Sequence, residues 1–194
     1  MNDRPQLDRA MIEEAFRIMG EYLLDRRMLG EIAIYGGSAI LFQYDWRKTS
    51  LDVGVRVISE RNHGIIADAA REAARRLDLP RSWLNEGVAI YTRRDEKDAD
   101  RISIGLYPSP ERFGLRVNAA KPEYLLAMKL RALDRVTPDD HNFEDAIGLG
   151  IACAATTIEE LRVLYSKYFG SEDLPVAAQL RLPGLLAAVR ADRK

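Results

Sequence analysis

The chain has 194 residues, of which 47% are hydrophobic and 30% charged, and its 29 basic and 30 acidic residues leave a formal net charge of −1. This composition is typical of a globular protein with one large or two small domains. The near-neutral charge excludes a global attraction to nucleic acid, so any RNA contact must come from a local patch. The single Cys153 excludes an internal disulfide. We see no signal peptide and no long apolar span, which predicts a cytoplasmic protein without a membrane segment.

Hydrophobic periodicity predicts an α/β (α+β) fold, in which a mixed sheet flanked by helices is followed by a helical C-terminal half. The expected domains are 1–120 and 121–194. In the second, Thr157 and Glu160 form a capping-box pattern at a helix start. The predicted elements of the first are a helix over 6–27, strands over 31–35 and 51–57, a helix over 63–77, and strands over 87–91, 101–106 and 115–117.

The predicted strand over 31–35 runs directly into Gly36 and Gly37, which permit a tight turn and a close backbone approach. Ser38 is a suitable N-cap for the apolar helix predicted over 39–44. A strand, a Gly-Gly turn and a helix start direct several backbone N–H groups to one place, and such a place favours a phosphate. A plain turn without a ligand remains the alternative.

In the next predicted strand, apolar residues at positions 51, 53, 55 and 57 alternate with Asp52, Gly54 and Arg56. Asp52 is therefore expected on the outward face, on the same side as the Gly-Gly turn. Two carboxylates at i and i+2 of a strand can hold Mg²⁺ together, but position 54 is glycine, and only Asp52 is present. The alternative is that Asp52 is a solvated residue of a half-exposed strand.

A lysine occurs inside the apolar stripe of the helix predicted over 122–135. Lys129 has Leu125 and Leu126 one turn before it and Leu133 one turn after it. A buried charge needs a partner, and Asp145 on the following helix is the expected one. The alternative is that the long side chain extends to solvent.

These motifs together resemble the nucleotidyltransferase superfamily, and within it the AbiEii-like and related minimal nucleotidyltransferases found as bacterial toxins and phage-defence proteins. Residues 36–41, followed by 47–50 and Asp52, resemble the start of the family domain, and residues 122–132, Arg135 and 141–145 resemble its second half. The resemblance covers roughly residues 30 to 150 at the level of motifs, in the family's order.

The resemblance implies that a nucleoside monophosphate is transferred from an NTP to a hydroxyl of RNA, such as tRNA, or of a protein, in a toxin or phage-defence role. It implies a weakly held Mg²⁺ at Asp52, with Lys129 and Asp145 completing the catalytic site, and a cognate antitoxin as a further partner. The helical C-terminal region would complete the cleft. The residues expected to bind the nucleotide are Gly36, Gly37, Ser38, Arg47 and Ser50.

The chain departs from the family pattern at several positions. Gly54 replaces the second carboxylate, no carboxylate occurs among residues 101–107, and His141 and Asn142 stand where Lys and Asp are usual. A second function is therefore kept open: a catalytically impaired pseudo-nucleotidyltransferase that acts as a nucleotide-binding or partner-binding module. Of the two tryptophans, Trp83 is interpreted as a packing anchor rather than a base-stacking platform.

Overall fold

The structure is a computed structural model that describes residues 6–93, 95–133, 141–170 and 173–192. The chain divides into two compact units. The first comprises residues up to 90 together with 101–120, and the second comprises 91–100 together with the residues from 121 onward. Residues 91–100, which the sequence placed in the α/β half, thus group with the helical half.

The first unit has the mixed α/β architecture expected from the sequence. Over the described residues its main sheet has five strands in the order β5-β4-β2-β7-β6, and β1 pairs with β3 in a separate antiparallel ladder. In the main sheet β2–β7 and β4–β5 are parallel, whereas β2–β4 and β6–β7 are antiparallel. The elements are β1 (Leu7–Asp8), α1 (Arg9–Asp25), β2 (Gly30–Tyr35), α2 (Gly36–Gln43), β3 (Thr49–Ser50), β4 (Val53–Val57), α3 (His63–Leu77), β5 (Leu84–Asn85), β6 (Arg101–Pro108) and β7 (Phe113–Ala120).

Helix α1 begins later than the sequence suggested, because residues 7 and 8 form β1 and the Asp8 side chain caps the helix by accepting from the Met11 amide at 2.8 Å. The helix packs on α3, β6 and β7, and its inner residues are buried, as expected from its amphipathic pattern. These buried residues are Ile12, Ala15, Phe16, Ile18, Met19 and Leu23. They form the first unit's core together with the inward face of the sheet.

The two faces of the sheet have different surroundings. A Cβ added at Gly30 would lie 3.0 Å from Leu23 Cδ1 and 3.1 Å from Ile66 Cγ1, so this side of β2 faces α1 and α3. Side chains alternate along a strand, so the odd-numbered residues of β2 lie on the opposite face. Tyr35 pairs with Gly54 of β4, which places Gly54 on that second face as well.

One predicted strand is wrong. Residues 87–91 do not extend the sheet: Gly87–Ile90 is a short 3₁₀ helix that follows β5. The Gly87 amide donates to Asn85 Oδ1 at 2.9 Å, and the Ala89 amide donates to the Glu86 carbonyl at 3.0 Å. These local bonds turn the chain where the apolar sequence indicated an extended strand.

From residue 121 onward, the described part of the second unit is mainly helical, as predicted. Its helices are α4 (Pro122–Ala132), α5 (Asn142–Ala152), α6 (Ile158–Phe169) and α7 (Val176–Ala191). The capping box of α6 is confirmed, since Thr157 Oγ1 accepts from the Glu160 amide and Glu160 accepts in return from the Thr157 amide. Arg135, which the sequence resemblance included, lies outside the described residues. Within the described chain, no helix combines the length and apolar character that a membrane crossing requires.

Candidate functional site

Strand β2 passes into α2 without an intervening loop. Gly36 has φ +64°, a conformation that glycine adopts easily, and α2 begins at this residue. The expected role of Ser38 as N-cap is wrong, because Ser38 is the third residue of the helix. Its buried hydroxyl donates to the Tyr35 carbonyl at 2.9 Å. Ser38 therefore stabilises the turn, and its hydroxyl already has a backbone partner.

The guanidinium of Arg47 lies against Gly37. A Cβ added at Gly37 would be 2.8 Å from Arg47 Nη2, 3.0 Å from Cζ and 3.1 Å from Nε. These near-equal distances mean that the plane of the guanidinium faces the glycine. Arg47 Nε also donates to the Thr49 carbonyl at 3.0 Å, which holds the side chain in this position. Gly37 thus permits an approach that any side chain would obstruct.

The start of α2 combines two sources of positive potential. The first N–H groups of an α-helix have no intrahelical partner, and the helix dipole gives this end a partial positive charge. Cations are favoured at the opposite end of a helix, so the position of Arg47 beside Gly37 runs against the usual preference. In front of Gly36 there is open space, since a Cβ added there would meet no heavy atom within 4 Å. The helix end and the guanidinium beside Gly37 both favour an anion at the start of α2.

Asp52 lies at the same end of the sheet as the Gly36–Gly37 turn, because the antiparallel register pairs Tyr35 with Gly54. That Asp52 shares a strand face with the Gly-Gly turn stays a prediction, because Asp52 lies before β4. Asp52 is exposed and precedes β4, and its Oδ2 accepts from Asn85 Nδ2 at 2.8 Å. The buried Ser50 hydroxyl donates to the Asp52 carbonyl at 2.7 Å. Ser50 therefore fixes the backbone before β4, rather than presenting its hydroxyl to a ligand.

The space beside Gly54, where the side chain of a second carboxylate would lie, is filled by another residue. A Cβ added at Gly54 would overlap Val88 Cγ1 from the 3₁₀ helix after β5. The same segment is tied to its surroundings by polar contacts: Asn85 donates to Asp52, and Glu86 Oε1 accepts from the Val57 amide at 3.4 Å. Residues 85–88 thus cover this part of β4 from its second face.

We tested whether these residues fit the Mg²⁺ expected at Asp52. Magnesium requires near-octahedral coordination by oxygen ligands, usually with one or two carboxylates. Here the Asp52 carboxylate accepts a hydrogen bond from Asn85, and an apolar side chain occupies the space beside Gly54. Across the described part of the chain there is no group of three or more His, Cys, Asp or Glu side chains arranged to hold a metal ion. The residues present therefore do not fit a resident Mg²⁺.

Lys129 and Asp145 meet in the second unit. Lys129 Nζ is 2.8 Å from Asp145 Oδ2, and the side chains are only 12% and 3% exposed. Lys129 Nζ also donates to Asn142 Oδ1 at 2.7 Å. The predicted partnership is confirmed, and a lysine extending into solvent is wrong. Asp52 belongs to the first unit, so a catalytic cleft shared with Asp52 stays a prediction.

A further interpretation from the sequence is confirmed. Trp83 is a packing anchor: it is buried, it packs on Phe16, and its Nε1 donates to the Ala70 carbonyl at 3.0 Å. On the exposed side of α3, Arg75 and Arg76 both donate to Glu72.

The sequence reasoning missed the residues that surround the turn from other elements. Val88 was placed in a predicted strand and Asn85 was given no role, and nothing in the local pattern of either residue indicates a contact with β4. Trp46 was also missed, although a signal existed: it stands directly before Arg47 and Lys48, and an aromatic residue beside basic residues is typical of nucleic-acid contacts.

Comparison with protein-family models, with curated proteins and with solved structures gives no match to this chain.

Proposed function

We propose that this protein binds the phosphates of a nucleotide at the β2–α2 turn and acts as a nucleotide-binding module of nucleotidyltransferase-like design, without a metal-dependent transfer step. The phosphate would lie in front of Gly36, where the first amides of α2 converge. The guanidinium of Arg47 would bind the phosphate oxygens from the side, in the forked geometry that suits this group.

One observation carries this proposal: the Arg47 guanidinium lies face-on against Gly37 at the positive end of α2, with Nη2 2.8 Å from the position of a Cβ. A phosphate bound here would be attracted by the positive end of the helix and by the arginine together. The arrangement is therefore best suited to an anionic ligand.

The alternative, transfer of a nucleoside monophosphate to RNA or protein, has less support from the geometry. In-line phosphoryl transfer relies on metal ions that neutralise developing charge. Asp52 alone does not provide the paired carboxylates, and Val88 fills the space at Gly54. The resemblance to toxin-type nucleotidyltransferases supports the nucleotide as ligand, and the filled metal position supports binding rather than transfer.

Calorimetric titration with ATP in EDTA tests the binding. We expect wild-type protein to bind ATP without Mg²⁺, and Arg47→Ala to weaken the affinity by about tenfold or more, because hydrogen bonds to charged groups contribute about 1.5–3 kcal/mol. Arg71→Ala is a matched control, since it removes one positive charge from the exposed face of α3 in the same unit. Equal affinities for wild type and Arg47→Ala would contradict the assignment of the turn.

The absence of a transfer step has its own test. Wild-type protein is incubated with each of the four NTPs, labelled at the α-phosphate, with Mg²⁺ and total tRNA. We expect no label on RNA or on protein. Transfer of label that Asp52→Asn abolishes would contradict the proposed module and establish the nucleotidyltransferase.

A further inference from the structure

The segment between α2 and β3 exposes a stacked pair of aromatic rings. The rings of Tyr44 and Trp46 have centroids 4.1 Å apart and an interplanar angle of 27°. Tyr44 covers one side of the indole, yet Trp46 remains 44% exposed. The indole is thus held in a defined orientation while much of it faces solvent.

This exposure distinguishes the two tryptophans of the chain. Trp83 is buried against Phe16 and has a hydrogen-bond partner for its indole nitrogen. Trp46 contributes little to the core, because it lies on the surface and its described ring contact is to a neighbour two residues away. A single exposed aromatic residue is common, so the inference depends on what lies beside it.

Trp46 is directly joined to the residue that carries the proposed phosphate contact. Consecutive Cα atoms are about 3.8 Å apart, so Trp46 and Arg47 share one short stretch of backbone. Arg47 extends back to Gly37 at the start of α2, and the next residue, Lys48, is exposed. Asp45 is the acidic residue of this stretch, which leaves the four residues 45–48 with one excess positive charge. The exposed Trp46 and Lys48 thus flank, along the chain, the arginine whose guanidinium contacts Gly37.

We propose that Trp46 is the stacking platform for the base of the bound nucleotide, so that the site selects a nucleobase joined to a phosphate. This inference rests on the proposed function. The phosphate would be held by the α2 amides and Arg47, and the base would stack on the exposed side of the indole, with Lys48 adding electrostatic attraction. Stacking tolerates every base, because each has a π-face. The ligand can be a free nucleotide or one nucleotide of a single-stranded nucleic acid.

The experiment compares ATP with inorganic tripolyphosphate, which carries the phosphates without the base. We expect Trp46→Ala to weaken ATP binding by about tenfold while leaving tripolyphosphate binding unchanged, since base–aromatic stacking contributes about 1–3 kcal/mol. Trp46→Phe should restore most of the ATP affinity. The melting temperature of each variant should equal that of wild type, because Trp46 is exposed.

Intrinsic fluorescence gives a second readout, because it reports on the surroundings of the indole ring and not only on affinity. Trp46 and Trp83 are the only tryptophans, so Trp46→Phe leaves buried Trp83 as the sole indole emitter. We expect ATP to quench the wild-type emission and to leave the emission of Trp46→Phe unchanged. Tripolyphosphate should quench neither.

The outcomes separate this inference from the proposed function. If Arg47→Ala weakens both ligands but Trp46→Ala weakens neither, the phosphate site stands and the stacking platform is wrong. If neither ligand binds to wild-type protein, both proposals fail. A short oligoadenylate identifies the source of the base: binding tighter than that of ATP and sensitive to Trp46→Ala indicates a single-stranded nucleic acid, whereas weaker binding that keeps this sensitivity indicates the free nucleotide.

Discussion

Gly54 faces the side chain of Val88, and a Cβ at this position would overlap Val88 Cγ1. In the sequence this glycine looked like the trace of a lost metal ligand on the face of Asp52. The structure gives it a packing reason instead: the 3₁₀ helix after β5 closes on β4 only because residue 54 has no side chain. The same valine occupies the space that a second carboxylate would need.

We therefore expect Gly54→Ala to reduce the free energy of unfolding by roughly 1–3 kcal/mol, as overpacked core positions do. Val88→Ala in the same chain should recover part of this loss by making room. Gly64→Ala is a matched control near the start of α3, where an added Cβ meets nothing within 4 Å and stability should not fall. Urea unfolding measures all of these variants.

The Asp substitution at the same position separates the two readings of Gly54. We expect Gly54→Asp to lower the melting temperature and to leave Mg²⁺ affinity unchanged, because the new carboxylate would meet Val88. Tighter Mg²⁺ binding at an unaltered melting temperature would contradict this account and support a metal site that lost one ligand.

Glu72 shows a clear electrostatic effect on the surface of α3. Hydrogen bonds from Arg75 and then Arg76 lower the pKa of the Glu72 carboxyl to about 2. The ordinary pKa of this carboxyl is 4.5. Because the pKa in the folded protein is lower, the pairing stabilises the helix at pH values above 4.5, and this contribution is lost as the pH falls towards 2. We expect NMR titration of Glu72 to show this low pKa. Arg75→Ala should raise it, and an unchanged pKa in that variant would contradict the assigned cause.

At the scale of elements, the Lys129–Asp145 pair joins α4 to α5. Both side chains are almost completely buried, and Asn142 at the start of α5 gives Lys129 a second acceptor. Removing one member of a buried ion pair leaves the other charge without compensation. The contact therefore stabilises the helical unit, whatever further role these residues have.

We expect Asp145→Ala to lower the free energy of unfolding by about 3–5 kcal/mol. The double variant Lys129→Met/Asp145→Leu should lose much less, because it removes both charges and fills the space with apolar atoms. Glu14→Ala, which breaks an exposed pair with Arg17, should have little effect. If Asp145→Ala unfolds at the same urea concentration as wild type, the pair does not join the two helices.

Helix α7 offers a comparison of one substitution on two faces. Leu185 is completely buried, whereas Leu180 is 78% exposed. Leu185→Ala should cost about 2–5 kcal/mol, as truncation of a buried leucine does. Leu180→Ala should change stability by less than about 0.5 kcal/mol, since it removes no core contact. Comparable losses from both substitutions would show that this helix is covered on its outer side in solution.

The sequence was informative where the signal is local. Apolar periodicity predicted α3 closely and the strands β2 and β6, and the Thr157–Glu160 spacing identified a helix start correctly. It failed at residues 87–91, where the apolar run suits a strand as well as a buried turn. It also misplaced Ser38, because the helix starts at Gly36, three residues earlier than predicted. Contacts between distant residues, such as Val88 with Gly54 or Arg47 with Gly37, depend on the tertiary structure and have no local pattern.

At the scale of the whole molecule, the two units contribute different parts of the expected site. The first contains the β2–α2 turn, Arg47, Trp46 and Asp52, and the second contains Lys129 and Asp145. The proposed binding site needs only residues of the first unit. With a net charge of −1 over the chain, the attraction of a nucleotide must come from this local arrangement of amides and cations.

The central claim is that phosphates bind at the start of α2 without a metal. NMR titration of the ¹⁵N-labelled protein with ATP in EDTA tests it most directly, because the amides of Gly36 and Gly37 would donate to the phosphate. The account predicts that these two glycine amides show the largest chemical-shift changes, and that Arg47→Ala greatly reduces them. Shifts that occur only after Mg²⁺ is added and that centre on Asp52, or the absence of any shift at Gly36 and Gly37, would contradict it.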